Sequence, residues 1–249
     1  MLPSILMQHQ VDWLADNSRL KICEKGRRTG ITWCEAIDAT MTAASTRAGG
    51  GDNVYYIGDS REKGIEFIRY VGQIAGTIAR VMACTIGEYL FEDRRDDGET
   101  RYISAYRAKF ASGHHVVALS SRPSNIRGLQ GVVVIDEVAF HDDVAATIAA
   151  ANALLIWGGK IRLISTHNGD DSPFCRIIED TRKGVFDYSL HRVTFQDALD
   201  NGLYERVCMV RGWEPTEAGR AEWVDAILRS YGGDAERRDE ELFAIPRRG

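Results

Sequence analysis

One stretch of this sequence has the residue types and spacing to hold phosphate. The segment LKICE reads as a short strand, KGRRTGIT as a glycine-bearing turn, and the residues from Thr32 to Ser45 as a helix. A turn of this kind presents backbone N–H groups and the positive end of the helix to an anion. The common form of such a loop is G-x-x-x-x-G-K-S/T. Here Gly30 fills the second glycine and Thr32 the hydroxyl, but Ile31 stands in the lysine place and Lys25 in the first glycine place. The charge such a lysine supplies can reach phosphate from elsewhere in the loop, and Lys25 at its entrance is the candidate. Arg27 and Arg28 add guanidinium groups suited to phosphate, and Thr32 can offer its hydroxyl to Mg²⁺. The backbone from Gly26 through Thr29 and Ile31 to Thr32 would form the cradle. The alternative is an ordinary strand–turn–helix whose basic residues are solvated.

A second run, GVVVIDEVAFHDD, ends four β-branched residues on Asp136 and Glu137. Acids at the carboxyl end of such a strand can hold a metal ion and orient a water. A solvated turn after a strand reads the same way in isolation. A third run, RLISTHNG, brings Ser165, Thr166 and Asn168 to another strand end, where they could sense a terminal phosphate or simply form a turn.

These runs need a scaffold, and the rest of the chain supplies one. Apolar periodicity alternates between short β-rich runs and helical stretches. Helices are expected over Pro3–Ala15, Arg61–Met82, Val144–Ile156, Pro173–Lys183 and Thr216–Ser230. Strands are expected over Asn53–Ile57, His115–Leu119, Val132–Ile135, Ile161–Ser165 and Tyr188–Thr194, with a hairpin formed by Tyr89–Phe91 and Thr100–Tyr106 around the charged turn Glu92–Gly98. The uninterrupted apolar run VVVI suits a strand covered on both faces of a parallel sheet. The fold class is α/β with a mainly parallel central sheet. The core is expected over residues 1–184 and a small C-terminal subdomain over 185–249.

The 249 residues carry 31 Lys+Arg against 36 Asp+Glu, a net charge of −5. Such a chain does not hold nucleic acid by bulk charge, so a DNA partner would need a local basic surface. Arg94-Arg95 and Lys160-Arg162 are candidates. No run of about 18 apolar residues exists to span a bilayer, and the N-terminus turns polar too early for a secretory signal, so a cytoplasmic location is expected. The five cysteines lack a C-x-x-C and read as reduced, buried thiols. His114 and His115, adjacent in a strand, point to opposite faces and do not suggest a shared metal.

Together MQHQVDWLADNSRLKICEKGRRTGITW, SSRPSNIRGLQGVVVIDEVAFHDD, LISTHNG and the tail ELFAIP resemble the ATPase domain of viral terminase large subunits, in particular the branch of tailed phages and Mu-like prophages. The resemblance implies a three-layer P-loop NTPase of the ASCE type, with a C-terminal lid, as the motor that couples Mg-ATP hydrolysis to packaging of double-stranded DNA into a procapsid. It implies that Gln10 contacts adenine and that Lys25 serves as the displaced loop lysine. Thr32 and Asp136 would hold Mg²⁺, Glu137 would be the catalytic glutamate, and Ser165, Thr166 and Asn168 the coupling motif. Arg127 in NIRG, with Arg122 close by, is the candidate arginine finger donated to a neighbour in a ring. The implied partners are DNA, the portal of the procapsid and the small terminase subunit, in the host cytoplasm. The family's nuclease domain, with its clustered metal-binding acids, is not expected in this chain. A helicase-type translocase and a degenerate, non-hydrolysing P-loop module are the competing readings.

Overall fold

The computed structural model describes residues 5–78, 84–94, 100–119 and 126–249. Within them eight strands form one sheet in the order β3-β4-β5-β2-β6-β7-β1-β8. These are β1 (Leu20–Lys25), β2 (Val54–Ile57), β3 (Cys84–Arg94), β4 (Thr100–Phe110), β5 (His115–Leu119), β6 (Val132–Asp136), β7 (Lys160–Ser165) and β8 (Ser189–Val193). From β5 to β8 across the sheet every pairing is parallel. The β3–β4 hairpin closes one edge antiparallel and is longer than expected, pairing Cys84 with Phe110 and Arg94 with Thr100.

Alternation along the strands sorts their side chains into two layers. Cys23, Val54, Tyr56, Val134 and Ile164 face α1 (Gln8–Ala15), α2 (Ile31–Ala44) and α3 (Arg61–Ile78), where they meet Trp13, Cys34, Phe67 and Val71. Ile22, Tyr55, Ile57, Val133, Ile135 and Leu163 face the other way, against Val144 and Ile148 of α4 (Val144–Asn152) and Phe174 and Ile178 of α5 (Pro173–Arg182). All four valine and isoleucine side chains of VVVI are buried. This is the α/β fold with a mainly parallel sheet that the sequence pattern indicates, in the three layers that the resemblance implies.

Several boundaries differ. The first helix starts at Gln8 with Met7 as its cap; residues 1–4 of the expected helix lie outside the described residues, as do residues 79–82 of the third. The helix expected over Val144–Ile156 stops at Asn152 and tightens into a 3₁₀ turn, Ala153–Trp157. The chain must turn there to enter β7. A Cβ on Gly159 would lie 2.7 Å from the Leu154 carbonyl oxygen, so the turn packs backbone on backbone. Beyond Val185 the first element, β8, belongs to the main sheet beside β1. The helical unit proper begins with α6 (Phe195–Asp200) and α7 (Leu203–Arg211), which were not expected, and continues through α8 (Glu217–Arg229) and α9 (Ala235–Phe243). Its own core joins Phe195, Leu199, Tyr204, Cys208 and Leu242 to Trp223 and Ile227.

Arg162 corrects one expectation. It is not a basic surface residue: it is 2% exposed, and its guanidinium donates to the carbonyls of Ser18 and Arg19. Arg95 lies outside the described residues, as does the side chain of Arg94. The His pair serves packing: His114 meets the Ser45 carbonyl oxygen at 3.0 Å and His115 sits edge-on to Tyr55. Cys23, Cys34, Cys175 and Cys208 are free and buried, and burial pushes the Cys23 thiol up to about 12 and Cys175 to about 11. No helix of the described residues is long and apolar enough to cross a membrane.

Candidate active site

Parallel strands deliver their carboxyl ends to one edge of a sheet, and functional groups collect there. At this edge β7 lies between β1 and β6. Lys25 ends β1 and Asp136 ends β6, with Glu137 next; Ser165 ends β7. Lys25 spans the end of β7 so that its ammonium lies 3.0 Å from Glu137 Oε1. This pair is mostly buried, with side-chain exposures of 6% and 19%.

Burial alone would push the Glu137 carboxyl up. The Lys25 ammonium, the hydrogen bond from it and the Thr166 amide outweigh that effect and hold the group below its ordinary value. The Glu137 backbone is left-handed, at φ 51°. For a residue with a Cβ this costs energy and marks a position its surroundings dictate. Glu137 Oε2 is buried with no hydrogen-bond partner among the described residues.

Asp136 is buried and accepts three hydrogen bonds. Thr32 Oγ1 and the Tyr56 hydroxyl each donate to Oδ2 at 2.9 Å, and the Glu137 N–H donates to Oδ1 at 3.0 Å. Burial and then the Glu137 charge push its carboxyl up. An acid in this state gains from a cation. Two adjacent hard oxygens, one hydroxyl and one carboxylate, suit Mg²⁺, which keeps water and phosphate for its other positions. The residues present therefore fit that ion.

The loop from Gly26 to Gly30 is fixed from both ends. Gly30 is left-handed at φ 81° and caps α2; a Cβ there would also lie 2.7 Å from Gln10 Nε2. Gly26 packs against α9, where a Cβ would lie 2.4 Å from the Leu242 carbonyl oxygen. The Gly26 N–H donates to the Val193 carbonyl and the Arg27 N–H to that of Glu241, both at 2.7 Å. These two amides are thus committed to the C-terminal region, which revises the expected cradle. Ile31 and Thr32 open α2, whose first-turn amides have no partner within the helix. Arg28 is left-handed at φ 61°.

A cavity of about 360 Å³ opens over this edge. Lys25, Arg27, Arg28, Thr29, Gly30, Ile31, Thr32, Glu137 and Thr166 line it. Gln10, Gly26, Asp136, Ser165, Asn168 and Arg127 do not. Gln10 is 2% exposed and both ends of its amide are used: Nε2 donates to the Gly30 carbonyl at 2.9 Å and Oε1 accepts from the Met7 N–H at 3.0 Å. Ser165 Oγ accepts from the Ala139 N–H at 3.0 Å and Asn168 Nδ2 donates to the Ala139 carbonyl at 3.3 Å, so both grip the turn after Glu137. Arg127 is exposed on a short turn; Arg122 lies outside the described residues.

Other contributors gave weaker signals. Tyr56 sits in a core strand, where a buried hydroxyl needs a partner, and that partner is Asp136. Trp33, Asp59, Lys63, Glu66, Tyr70 and Phe140 also line the cavity. Glu24 is 1% exposed, shares a hydrogen bond with His167 Nε2 at 2.9 Å and is ion-paired with Arg182, anchoring the segment between Thr166 and Asn168. A lone acid in a strand carries no pattern that predicts this.

Known proteins resemble this chain in sequence, and others in fold. The chain is 44% identical over 244 residues to the Mu-like prophage FluMu protein gp28 of Haemophilus influenzae. It is 43% identical over 247 residues to the probable terminase, large subunit gp28, of Escherichia phage Mu. Each match covers 98% of this chain but only 47% and 44% of the relative, so the chain spans about half the length of the curated relatives it matches. No family model matches. Among solved structures, the large terminase ATPase domain of Thermus phage P74-26 superimposes with a TM-score of 0.63 at 16% identity, covering 98% of both chains. The HK97 bacteriophage large terminase gives 0.59 at 14% identity, covering 98% of this chain and 51% of that one. The large terminase of another thermophilic bacteriophage, solved in complex with ADP, gives 0.55 at 16% identity over 84% of this chain and 50% of that one. Along nearly its whole length this chain is therefore similar in sequence to these two gp28 proteins, one of them a probable terminase large subunit, and it shares the fold of large terminase ATPase domains.

Proposed function

We propose that the chain is the ATP-hydrolysing motor domain of a terminase large subunit, coupling hydrolysis to translocation of double-stranded DNA into a procapsid. The observation that carries this reading is the pairing of Lys25 with Glu137 beside the pairing of Thr32 with Asp136, all at the carboxyl edge of a parallel sheet. The ADP bound by one structural relative agrees with it.

In this mechanism ATP lies along the loop, its phosphates toward Thr32 and Glu137. The first-turn amides of α2 and the guanidinium groups of Arg27 and Arg28 bind phosphate oxygens. Thr32 and Asp136 would hold Mg²⁺, which would supply positive charge against the charge developing on phosphate. The Lys25 ammonium shares itself between Glu137 and phosphate, and Glu137 Oε2 accepts a hydrogen bond from the attacking water and then its proton. Loss of the γ-phosphate changes what Thr166 faces, and Ser165, His167 and Asn168 pass the change to the turn after Glu137 and to Glu24. Arg127 acts on a neighbouring subunit's nucleotide in a ring, so an isolated copy turns over slowly. DNA is gripped through phosphate, because packaging must ignore sequence. The portal and the small terminase subunit are the proposed protein partners, and the host cytoplasm the location.

Calorimetry with Mg-ATP and phosphate release with and without DNA test this reading. Binding together with DNA-stimulated release is expected. A wild-type chain that binds no nucleotide would overturn it.

A further inference from the structure

The loop lacks a lysine before Thr32, where Ile31 stands instead. Ile31 is 1% exposed and packs into the core with Trp13 and Cys34. Lys25 has its ammonium on Glu137 at 3.0 Å, and Arg27 is drawn to Glu241 at 3.5 Å. Among the described residues one further lysine lines the same cavity, Lys63 in the first turn of α3.

Its position follows from the sheet. Strand β2 pairs with β6 in a register that sets Ile57 beside Ile135, so the turn leaving β2 rises next to Asp136 and Glu137. Two glycines let α3 start close to the strand ends. A Cβ on Gly58 would lie 2.9 Å from the Lys63 Cβ, and one on Gly64 would lie 3.0 Å from the Ala118 Cβ. Its ion pair with Glu66, at 3.7 Å between side chains 37% and 35% exposed, is long and solvated, and a pair of that kind holds its partners weakly.

We propose that Lys63 is a second catalytic cation, beside Lys25, that reaches the terminal phosphate of a bound nucleoside triphosphate from α3. The inference rests on the nucleotide-binding reading above. It makes Lys63 a discriminator: the ammonium meets a triphosphate and has nothing to meet in a diphosphate, whereas the loop holds the phosphates common to both.

The experiment uses the whole chain with Lys63→Ala, Lys63→Met, which keeps the apolar stem, and Lys63→Arg, which keeps the charge. Affinities for Mg-ATPγS and Mg-ADP are measured by calorimetry, alongside phosphate release from Mg-ATP. Both neutral variants should lose about tenfold or more in ATPγS affinity and in turnover, as expected for a charge-assisted phosphate contact. Their ADP affinity should stay within about twofold of wild type, since no Lys63 contact is lost there, and Lys63→Arg should recover most of both. Neutral variants that match wild type, or that weaken ATPγS and ADP alike, overturn the inference while the nucleotide-binding reading stands. A wild-type chain that binds neither nucleotide overturns both.

Discussion

Lys25 and Glu137 meet at 3.0 Å although the strands that carry them are not neighbours: β7 runs between β1 and β6. The pair bridges the strand end that bears Ser165 and Thr166, so the cation, the carboxylate and the proposed sensing segment form one contact set. Removing either charge therefore has distinct effects.

Glu137→Gln keeps the shape and a hydrogen-bonding partner for Lys25 but removes the base. Turnover should fall by about 10²-fold or more, with nucleotide affinity kept. Lys25→Ala should lose turnover and weaken nucleotide binding as well. Phosphate release and binding of a fluorescent ADP analogue separate the two; normal hydrolysis by Lys25→Ala would show that the displaced lysine is dispensable.

Gly26→Ala places a methyl group against the Leu242 carbonyl oxygen, a backbone atom that cannot step aside alone. A cost of about 2 kcal/mol is expected, from overpacking. Denaturant unfolding measures it. A variant as stable as wild type would mean that α9 yields easily to the loop.

Stability should also depend on pH through Glu35. This buried acid accepts a hydrogen bond from Trp13 Nε1 at 2.6 Å, and burial, then the Asp38 charge, raises its pKa to about 7 from an ordinary 4.5. The folded state then binds the proton more tightly than the unfolded state. The stabilisation is present in full below about pH 4.5 and is lost as pH rises toward 7, with a slope of at most about 1.4 kcal/mol per pH unit. Urea midpoints followed by tryptophan fluorescence should show the trend, and Glu35→Gln should flatten it. A wild-type midpoint that rises across this interval while the variant's stays level would contradict it.

Arg127→Ala subunits should be nearly inactive alone, and where such fingers have been measured their loss costs about 10³-fold or more. Mixed with Glu137→Gln subunits they should regain activity, because one supplies an intact pocket and the other an intact arginine. A mixture no faster than its parts, in rings shown to assemble, would count against donation in trans.

Much of this site is legible in the sequence. Lys25, Thr32, Asp136 and Glu137 stood out because strand ends and a glycine turn force side chains of known chemistry toward one edge, and that logic is local. Lys25 is readable as the candidate displaced lysine because charge matters at a point in space rather than at a position in a pattern. What escaped was non-local. Arg162 looked like a surface cation because nothing nearby in sequence announces the carbonyls of Ser18 and Arg19 that receive it. The loop amides of Gly26 and Arg27 were expected to be free, yet Val193 and Glu241, far along the chain, already occupy them. The short helices α6 and α7 carry too few turns for apolar periodicity to show. Lys63 lies on a helix whose exposed face gives no hint that it looks into a cavity.

The bonds from Gly26 to Val193 and from Arg27 to Glu241 make the floor of the pocket a composite of two distant stretches of chain. Glu240 extends the join, since its carboxylate accepts from the Gly169 N–H just past Asn168. The helical unit thus grips the edge like a hand on both rails of a ladder: it cannot swing without tugging the loop and the segment after β7 together, and whatever reshapes either rail is felt in the wrist.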